Sequence, residues 1–328
     1  MSVVHLVPGP GSHGVVRHAL TLLAQPPLTG SPVVRGRHLG SPPGLHPRLA
    51  HLHVTDHLWG ESPDAAAAAV ERVAQRCPVS LTLHDLPQEG EGAGRRARRA
   101  AGYRRMVAAA RGVVVASEHE RELLLACLDG GPVPPVEVVP LPLDAPDLSP
   151  ARPPSSGEVA VLGYLYPGKG HLDVLDAMAG LPSSTGFAAL GAHSPGHDDL
   201  VGTVVATARA QGRVARVTGW LADAAMHDEA RRVAVPVVAP VHVSASGSVG
   251  SWITAGRRPL ATTNPYVAEL ARRCPGAVTL VERDELPAAI ARALADPSST
   301  WLEPSVTIGP STAEAAQTYA DVLAGWAR

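Results

Sequence analysis

Short runs rich in Val and Leu alternate with longer stretches of helical periodicity, and the alternation runs its course twice along this 328-residue chain. Strand and helix in strict succession specify parallel sheets whose crossover helices cover both faces. The first series predicts strands over Val3–Val7, Pro32–Arg35, Leu49–Thr55, Val79–His84, Val113–Ala116 and Val136–Pro140. The second predicts them over Val159–Gly163, Gly186–Gly191, Arg213–Thr218, Val235–Pro240, Leu260–Thr262 and Ala277–Leu280. Between the two, residues 143–157 are rich in Pro and Ser and poor in apolar side chains, the composition of a linker. Two doubly wound α/β domains are therefore expected, 1–148 and 149–311. The closing stretch, 312–328, reads as an amphipathic helix with Ala315, Tyr319, Val322 and Trp326 on one face.

Composition removes several classes of function. A net charge of −2 argues against a general nucleic-acid binder. Cys77, Cys127 and Cys274 are odd in number, widely spaced and form no Cys-x-x-Cys pair, which fits a reducing compartment and no zinc site. No run of 18 apolar residues is present, and the first residues reach a turn too soon for a signal peptide, so a cytoplasmic protein is expected.

Lys169 is the one lysine of the chain, beside 27 arginines. It stands in a turn, Pro167-Gly168-Lys169-Gly170, between an apolar strand and a helix, where a compact cation and free backbone N–H groups can meet a phosphate. A second turn of this kind follows the first strand, where Gly9, Gly11 and Gly14 form a Gly-x-Gly-x-x-Gly ahead of a helical run. Glycine suits unusual backbone angles and close approach of a ligand. A dinucleotide fold asks for an acidic residue about 20 positions on. Arg35 and Arg37 stand there instead, so an NADP-dependent oxidoreductase survives only as an alternative, next to a tight turn holding no ligand.

His84 and Asp85 end a buried strand at the carboxyl edge, where ligands of open parallel sheets collect. The imidazole there is a candidate to exchange a proton or bond a sugar hydroxyl, unless it merely caps the turn with Asp85. His51 and His53 share one strand face, but no third ligand is evident, and a structural role is expected. Ser246, Gly247 and Ser248 precede a helix predicted over Ser251–Ala255 and place small hydroxyls where an anion is favoured, or where a serine simply caps the helix. The arginines at 95, 96, 98, 99, 104, 105 and 111 spread around a helix axis. They describe a solvated helix rather than a membrane surface, with weak peripheral membrane contact as the alternative.

These stretches together resemble a retaining glycosyltransferase of the GT-B architecture, similar to glycosyltransferase family 4. The matching residues are the glycine-rich turn with Arg17 behind it, Thr82-Leu-His84-Asp85, Val114-Val-Ala-Ser117-Glu118-His-Glu120, Val138-Val-Pro140-Leu-Pro142, Leu162-Gly163 through Lys169-Gly170, Gly256-Arg-Arg-Pro259 and Tyr266-Val-Ala-Glu269. The resemblance implies two Rossmann-like domains facing across a cleft, with helix 312–328 crossing back to the first. It implies a nucleotide-sugar donor carrying UDP or GDP, an acceptor hydroxyl, retention of configuration, and no metal or other cofactor. His84 and Lys169 would be catalytic, and Gly9, Gly11, Gly14, Arg17, Ser246, Gly247, Ser248 and Glu269 would bind the donor. The chain departs from the pattern where the family has an arginine before the lysine, here Tyr164, and two glutamates, here Val243 and Ser251. Arg17, Arg257 and Arg258 are the candidates to compensate; a GT-B-like subunit without catalysis is the alternative that the departures leave open.

Overall fold

All twelve expected strands form, in two six-stranded sheets. In the first, β1 (Val3–Leu6), β2 (Val33–Val34), β3 (Leu49–Val54), β4 (Val79–Leu83), β5 (Val113–Val115) and β6 (Val136–Val138) lie in the order β2-β1-β3-β4-β5-β6. Every pairing is parallel, with His5 beside His51 and His53 beside Thr82. The computed structural model describes residues 3–38, 47–146, 148, 152–153 and 155–328; positions 147, 149–151 and 154 of the expected linker lie outside them. Crossovers are made by α1 (Gly14–Leu23), α2 (Asp56–Trp59), α3 (Pro63–Ala74), α4 (Ala93–Ala108) and α5 (Glu118–Leu128). Both faces of β3 and β4 are buried, and the polar side chains they carry, His51, His53, Ser80 and Thr82, lie inside with the apolar ones.

The second sheet repeats the plan. Strands β7 (Glu158–Leu162), β8 (Gly186–Leu190), β9 (Ala215–Val217), β10 (Val235–Val238), β11 (Leu260–Thr262) and β12 (Thr279–Val281) take the order β12-β11-β10-β7-β8-β9, again all parallel. Its helices are α6 (His171–Ala177), α7 (Asp199–Ala210), α8 (Asp223–Arg232), α9 (Gly247–Thr254), α10 (Pro265–Arg273) and α11 (Leu286–Ala295). Strand β9 begins two residues later than expected. The buried Arg213 turns its guanidinium away from the strand to donate to the carbonyls of Met178 and Thr185.

The chain divides into two compact units, Met1–Pro142 with Pro310–Arg328, and Leu143–Gly309. The last helix, α12 (Thr312–Trp326), packs on the first unit through Ala315, Ala316, Tyr319 and Leu323. Val322 and Trp326, expected on the same face, are only partly buried and lie at its margin. A Cβ on Gly112 would come within 2.3 Å of the Trp326 ring. Gly112→Ala is accordingly expected to displace that ring and to cost about 1–3 kcal/mol, the scale of overpacking a filled core. Thermal unfolding of the variant against the parent measures this; an unchanged midpoint would mean that α12 does not depend on the contact.

Among the described residues no helix is long and apolar enough to cross a membrane. Nor is α4 a freely solvated helix, as its arginines suggest. Tyr103, Met106 and Val107 are buried, and Arg99 is only 3% exposed, turned inward among carboxylates.

Candidate functional site

In each sheet the chain reverses its direction of travel at one place, and loops on both sides of such a switch point at the carboxyl edge form a crevice. The switch lies between β1 and β3 in the first sheet and between β7 and β10 in the second. His84, the glycine-rich turn, Lys169 and the serine loop lie at these carboxyl edges.

At the second edge, Lys169 follows β7 and the serine loop follows β10. Lys169 is 9% exposed, and its Nζ donates to Ser248 Oγ at 2.8 Å. Ser248 Oγ in turn meets Ser246 Oγ at 3.0 Å. Two glycines make the turn feasible. Gly163 (φ 115°) leaves room for the lysine, since a Cβ there would stand 3.3 Å from Nζ. Gly170 (φ 100°) lies where a Cβ would sit 2.3 Å from Ala239 O. Burial lowers the Lys169 ammonium to about 8, because the charged form has lost water without gaining a carboxylate.

Helix α9 starts at Gly247, four residues before the expected Ser251. Ser246 occupies the N-cap position without using its side chain as a cap; its hydroxyl goes to Ser248 instead. The serines thus lie at and inside the first turn, with the free N–H groups and the positive end of the helix dipole beside the lysine. This arrangement suits a phosphate-like anion.

Tyr164 is 38% exposed, and neither Val243 nor Ser251 carries a carboxylate. Glu269 lies half-buried one turn into α10. Arg257, a candidate to compensate, precedes β11 at the opposite end of the sheet. Its guanidinium is buried on the carbonyls of Val233 and Ala234 and on Thr300 Oγ1. Sequence reading overlooked Trp220, which follows β9 and is 60% exposed; an unpaired Trp after a Thr-Gly turn was the available signal.

At the first edge, the glycine-rich turn needs its glycines less than the motif suggests. Gly9 (φ 106°) requires one, and a Cβ there would meet Leu58 at 2.8 Å. Gly11 and Gly14 have no positive φ, and a Cβ on either would touch nothing within 4 Å. Gly14 opens α1, and the half-buried Arg17 lies one turn on. His13 caps α1, accepting at Nδ1 from the Val15 N–H at 3.2 Å. Its proton therefore sits on Nε2 and is donated to His57 Nε2 at 2.9 Å, leaving His57 Nδ1–H for Thr55 Oγ1 at 3.2 Å. Arg35 is spent on the carbonyls of Val7 and Gly9, and Arg37 on that of Leu58.

His84 stands just past β4, its N–H donating to Val54 O at 2.9 Å. Its ring is stacked on His53, with centroids 6.0 Å apart, and meets His18 edge-on at 5.6 Å. Nε2 is buried without a hydrogen-bond partner among the described residues. Burial above all, then His18 and His13, holds the imidazole well below its usual value, so it is neutral at pH 7. His51 and His53 belong to the same buried array, with His5 5.5 Å from His51. His51 is satisfied by Ser80 Oγ at 2.9 Å and Thr82 Oγ1 at 2.8 Å, and Thr82 reaches Tyr319 Oη at 3.2 Å. Among the described residues no group of three His, Cys, Asp or Glu side chains is arranged to hold a metal ion.

No protein-family model matches the sequence, and no curated protein matches it. Solved structures do. Anabaena HepE in complex with UDP-glucose aligns over 99% of this chain and 100% of its own at a TM-score of 0.70 and 16% identity. A sucrose-phosphate synthase from Thermosynechococcus elongatus aligns over 99% and 100% at 0.65 and 15%. A glycosyltransferase from Rickettsia africae aligns over 98% and 93% at 0.60 and 11%. The likeness establishes the GT-B fold, two Rossmann-like parallel sheets in one chain.

Proposed function

We propose that the protein is a glycosyltransferase that moves a sugar from a nucleoside-diphosphate donor, UDP- or GDP-linked, to an acceptor hydroxyl with retention of configuration. The observation that carries this reading is the Lys169–Ser248 contact at the helix mouth of the second switch point. In the reaction, the bond from the anomeric carbon to the diphosphate oxygen breaks, the acceptor oxygen bonds to that carbon on the same face, and the acceptor proton leaves with the diphosphate. Negative charge grows on the leaving oxygens. A preorganised ammonium and helix N–H groups stabilise it without reorganising, the largest contribution such a site makes to rate.

Lys169, Ser246, Gly247 and Ser248 hold the diphosphate in this reading, with Glu269 on the sugar or ribose. His84, neutral and buried, bonds the transferred sugar, and Gly9, Gly11, Gly14 and Arg17 line the donor side of the first sheet. Trp220 offers a flat face at the edge of the same sheet as Lys169, suited to a base. Anabaena HepE, of the same fold, was solved with UDP-glucose, which supports a nucleotide-sugar donor here. Retention rests on the resemblance in sequence motifs. A cytoplasmic site of action and domain limits of 1–148 and 149–311, with 312–328 returning to the first, belong to the same proposal.

The absence of carboxylates at 243 and 251 favours one second reading, a nucleotide-binding subunit without turnover. An NADP enzyme loses its support, because Arg35 and Arg37 hold loop carbonyls in place of a phosphate. Calorimetric titration with UDP, GDP and NADP, followed by turnover assays on UDP- and GDP-sugars, separates the three. Binding of UDP or GDP with turnover is expected. Binding without turnover selects the subunit, and tight binding of NADP alone would overturn the proposal.

A further inference from the structure

Asp85 has φ 56°, one of two non-glycine residues in the left-handed region among the described residues, and it directly follows His84. Asp enters that region more readily than most non-glycine residues, and its surroundings can fix it there where a site must be held in one shape. Here the surroundings are two side chains of α4. Tyr103 is fully buried, and its hydroxyl donates to His84 O at 3.1 Å and to Asp85 O at 3.3 Å. Arg99 donates through Nη2 to Asp85 O and, at 3.1 Å, to Asp85 Oδ2, through Nε to Asp56 Oδ2 at 2.9 Å, and through Nη1 to Glu91.

The consequences run in both directions from the strand end. His84 is tied at its N–H to Val54 O and at its carbonyl to Tyr103, so its backbone is pinned where the sheet ladder stops. Asp56, which opens α2 beside His57, is tied by Arg99 to the loop after β4. A planar fork with five donors can serve four acceptors at once, which a lysine ammonium cannot match in geometry.

We propose that Arg99 and Tyr103 are positioning residues for the proposed transfer: they clamp the left-handed His84–Asp85 turn and so fix where the His84 ring stands. The inference rests on the role given to His84 in the proposed function. The clamp acts through the backbone of the turn, so it governs how His84 meets the sugar, while the grip on the diphosphate stays with Lys169 and the serine loop.

The test uses the full chain and two readouts. Tyr103→Phe removes one oxygen and keeps the packing. Misplacing a contact group by about an ångström costs on the order of 100-fold in rate, so kcat is expected to fall about 10- to 100-fold. KM for the UDP-sugar is expected to stay within about twofold, since the diphosphate grip of Lys169 and the serine loop is unchanged and the loss falls on a sugar contact that tightens in the transition state. In the ligand-free protein, the His84 ring proton resonance is expected to be single in the parent and to broaden or split in Tyr103→Phe and in Arg99→Lys. An unaltered His84 resonance in both single variants would overturn the inference, as would kcat and KM moving together. If the parent itself turns over no nucleotide sugar, the proposed function fails, and the resonance alone decides on the clamp.

Discussion

Replacing Lys169 by methionine is expected to produce a protein that binds nucleoside diphosphate far more weakly and yet melts at a higher temperature. The first effect follows from removing the cation beside the serine-lined helix mouth. A charge-assisted hydrogen bond is worth about 1.5–3 kcal/mol, and loss of one preorganised donor to a developing charge costs about 100- to 1,000-fold in kcat. The second follows from linkage. The folded pKa of about 8 lies below the unfolded value of 10.5, so from neutral pH up to about 8 the fold pays for a charge that water would have solvated. That penalty fades only as pH rises from 8 towards 10.5. At pH 7 its removal is worth up to about 3 kcal/mol, at 1.36 kcal/mol per pKa unit. Calorimetry with UDP and a melting curve on the same preparation measure both effects. Weaker binding together with lower stability would mean that the lysine holds the loop rather than an anion. UDP binding by the parent is also expected to weaken above pH 8 and to draw protons from solution there, since the anion binds the protonated amine.

Acid is expected to unfold the first unit at a pH that leaves ordinary surface carboxylates largely ionised. His5 and His18 are lowered to about 4 by burial, and His51, His53 and His84 are held well below their usual value by burial and by one another. Each folded pKa lies below the unfolded 6.5, so the unfolded chain binds more protons between the two values. Stability is full above pH 6.5 and is lost as pH falls towards 4. At pH 5 a group with a folded pKa of about 4 costs about 2 kcal/mol. His5 and His18 together therefore cost about 4 kcal/mol there, and His51, His53 and His84 act in the same direction, against a total stability of about 5–15 kcal/mol for an ordinary domain. The array includes Tyr319 of α12, so the last helix should detach in the same transition. Circular dichroism against pH follows it. His5→Leu removes a ring whose two nitrogens are both buried without partners among the described residues. The variant is expected to gain about 1–2 kcal/mol at neutral pH and to shift the acid midpoint downward. A midpoint that stays put in His5→Leu would show that the array does not drive the transition.

Much of this fold is legible in the sequence because its code is local. A short apolar run such as Val159–Leu162, bounded by turn residues, suits a strand buried on both faces. The alternation with helices then leaves only parallel pairing. Lys169 was readable for a related reason: in a chain that uses arginine almost everywhere, one ammonium between two glycines marks a turn built around a compact charge. What local reading missed depends on distance along the chain. Arg99 sits 14 residues after Asp85, and nothing in the spacing of α4 says that this arginine, among several on the helix, turns inward. His5, His51, His53 and His84 come from four separate positions in sequence and become one array only because parallel register sets β1, β3 and β4 side by side.

By itself, then, the sequence determined two parallel sheets with their turns, and one lysine between glycines at a strand-to-helix turn, since periodicity and glycine placement act over a few residues. Only the tertiary structure decided that this cation is buried against Ser248, that Gly11 and Gly14 are not sterically required, and that Arg257 and Arg35 hold carbonyls rather than ligands. Those outcomes depend on which atoms neighbouring strands and helices bring within hydrogen-bond range. A buried charge or imidazole takes its protonation and its role from such neighbours, and the chain names them only once it has folded.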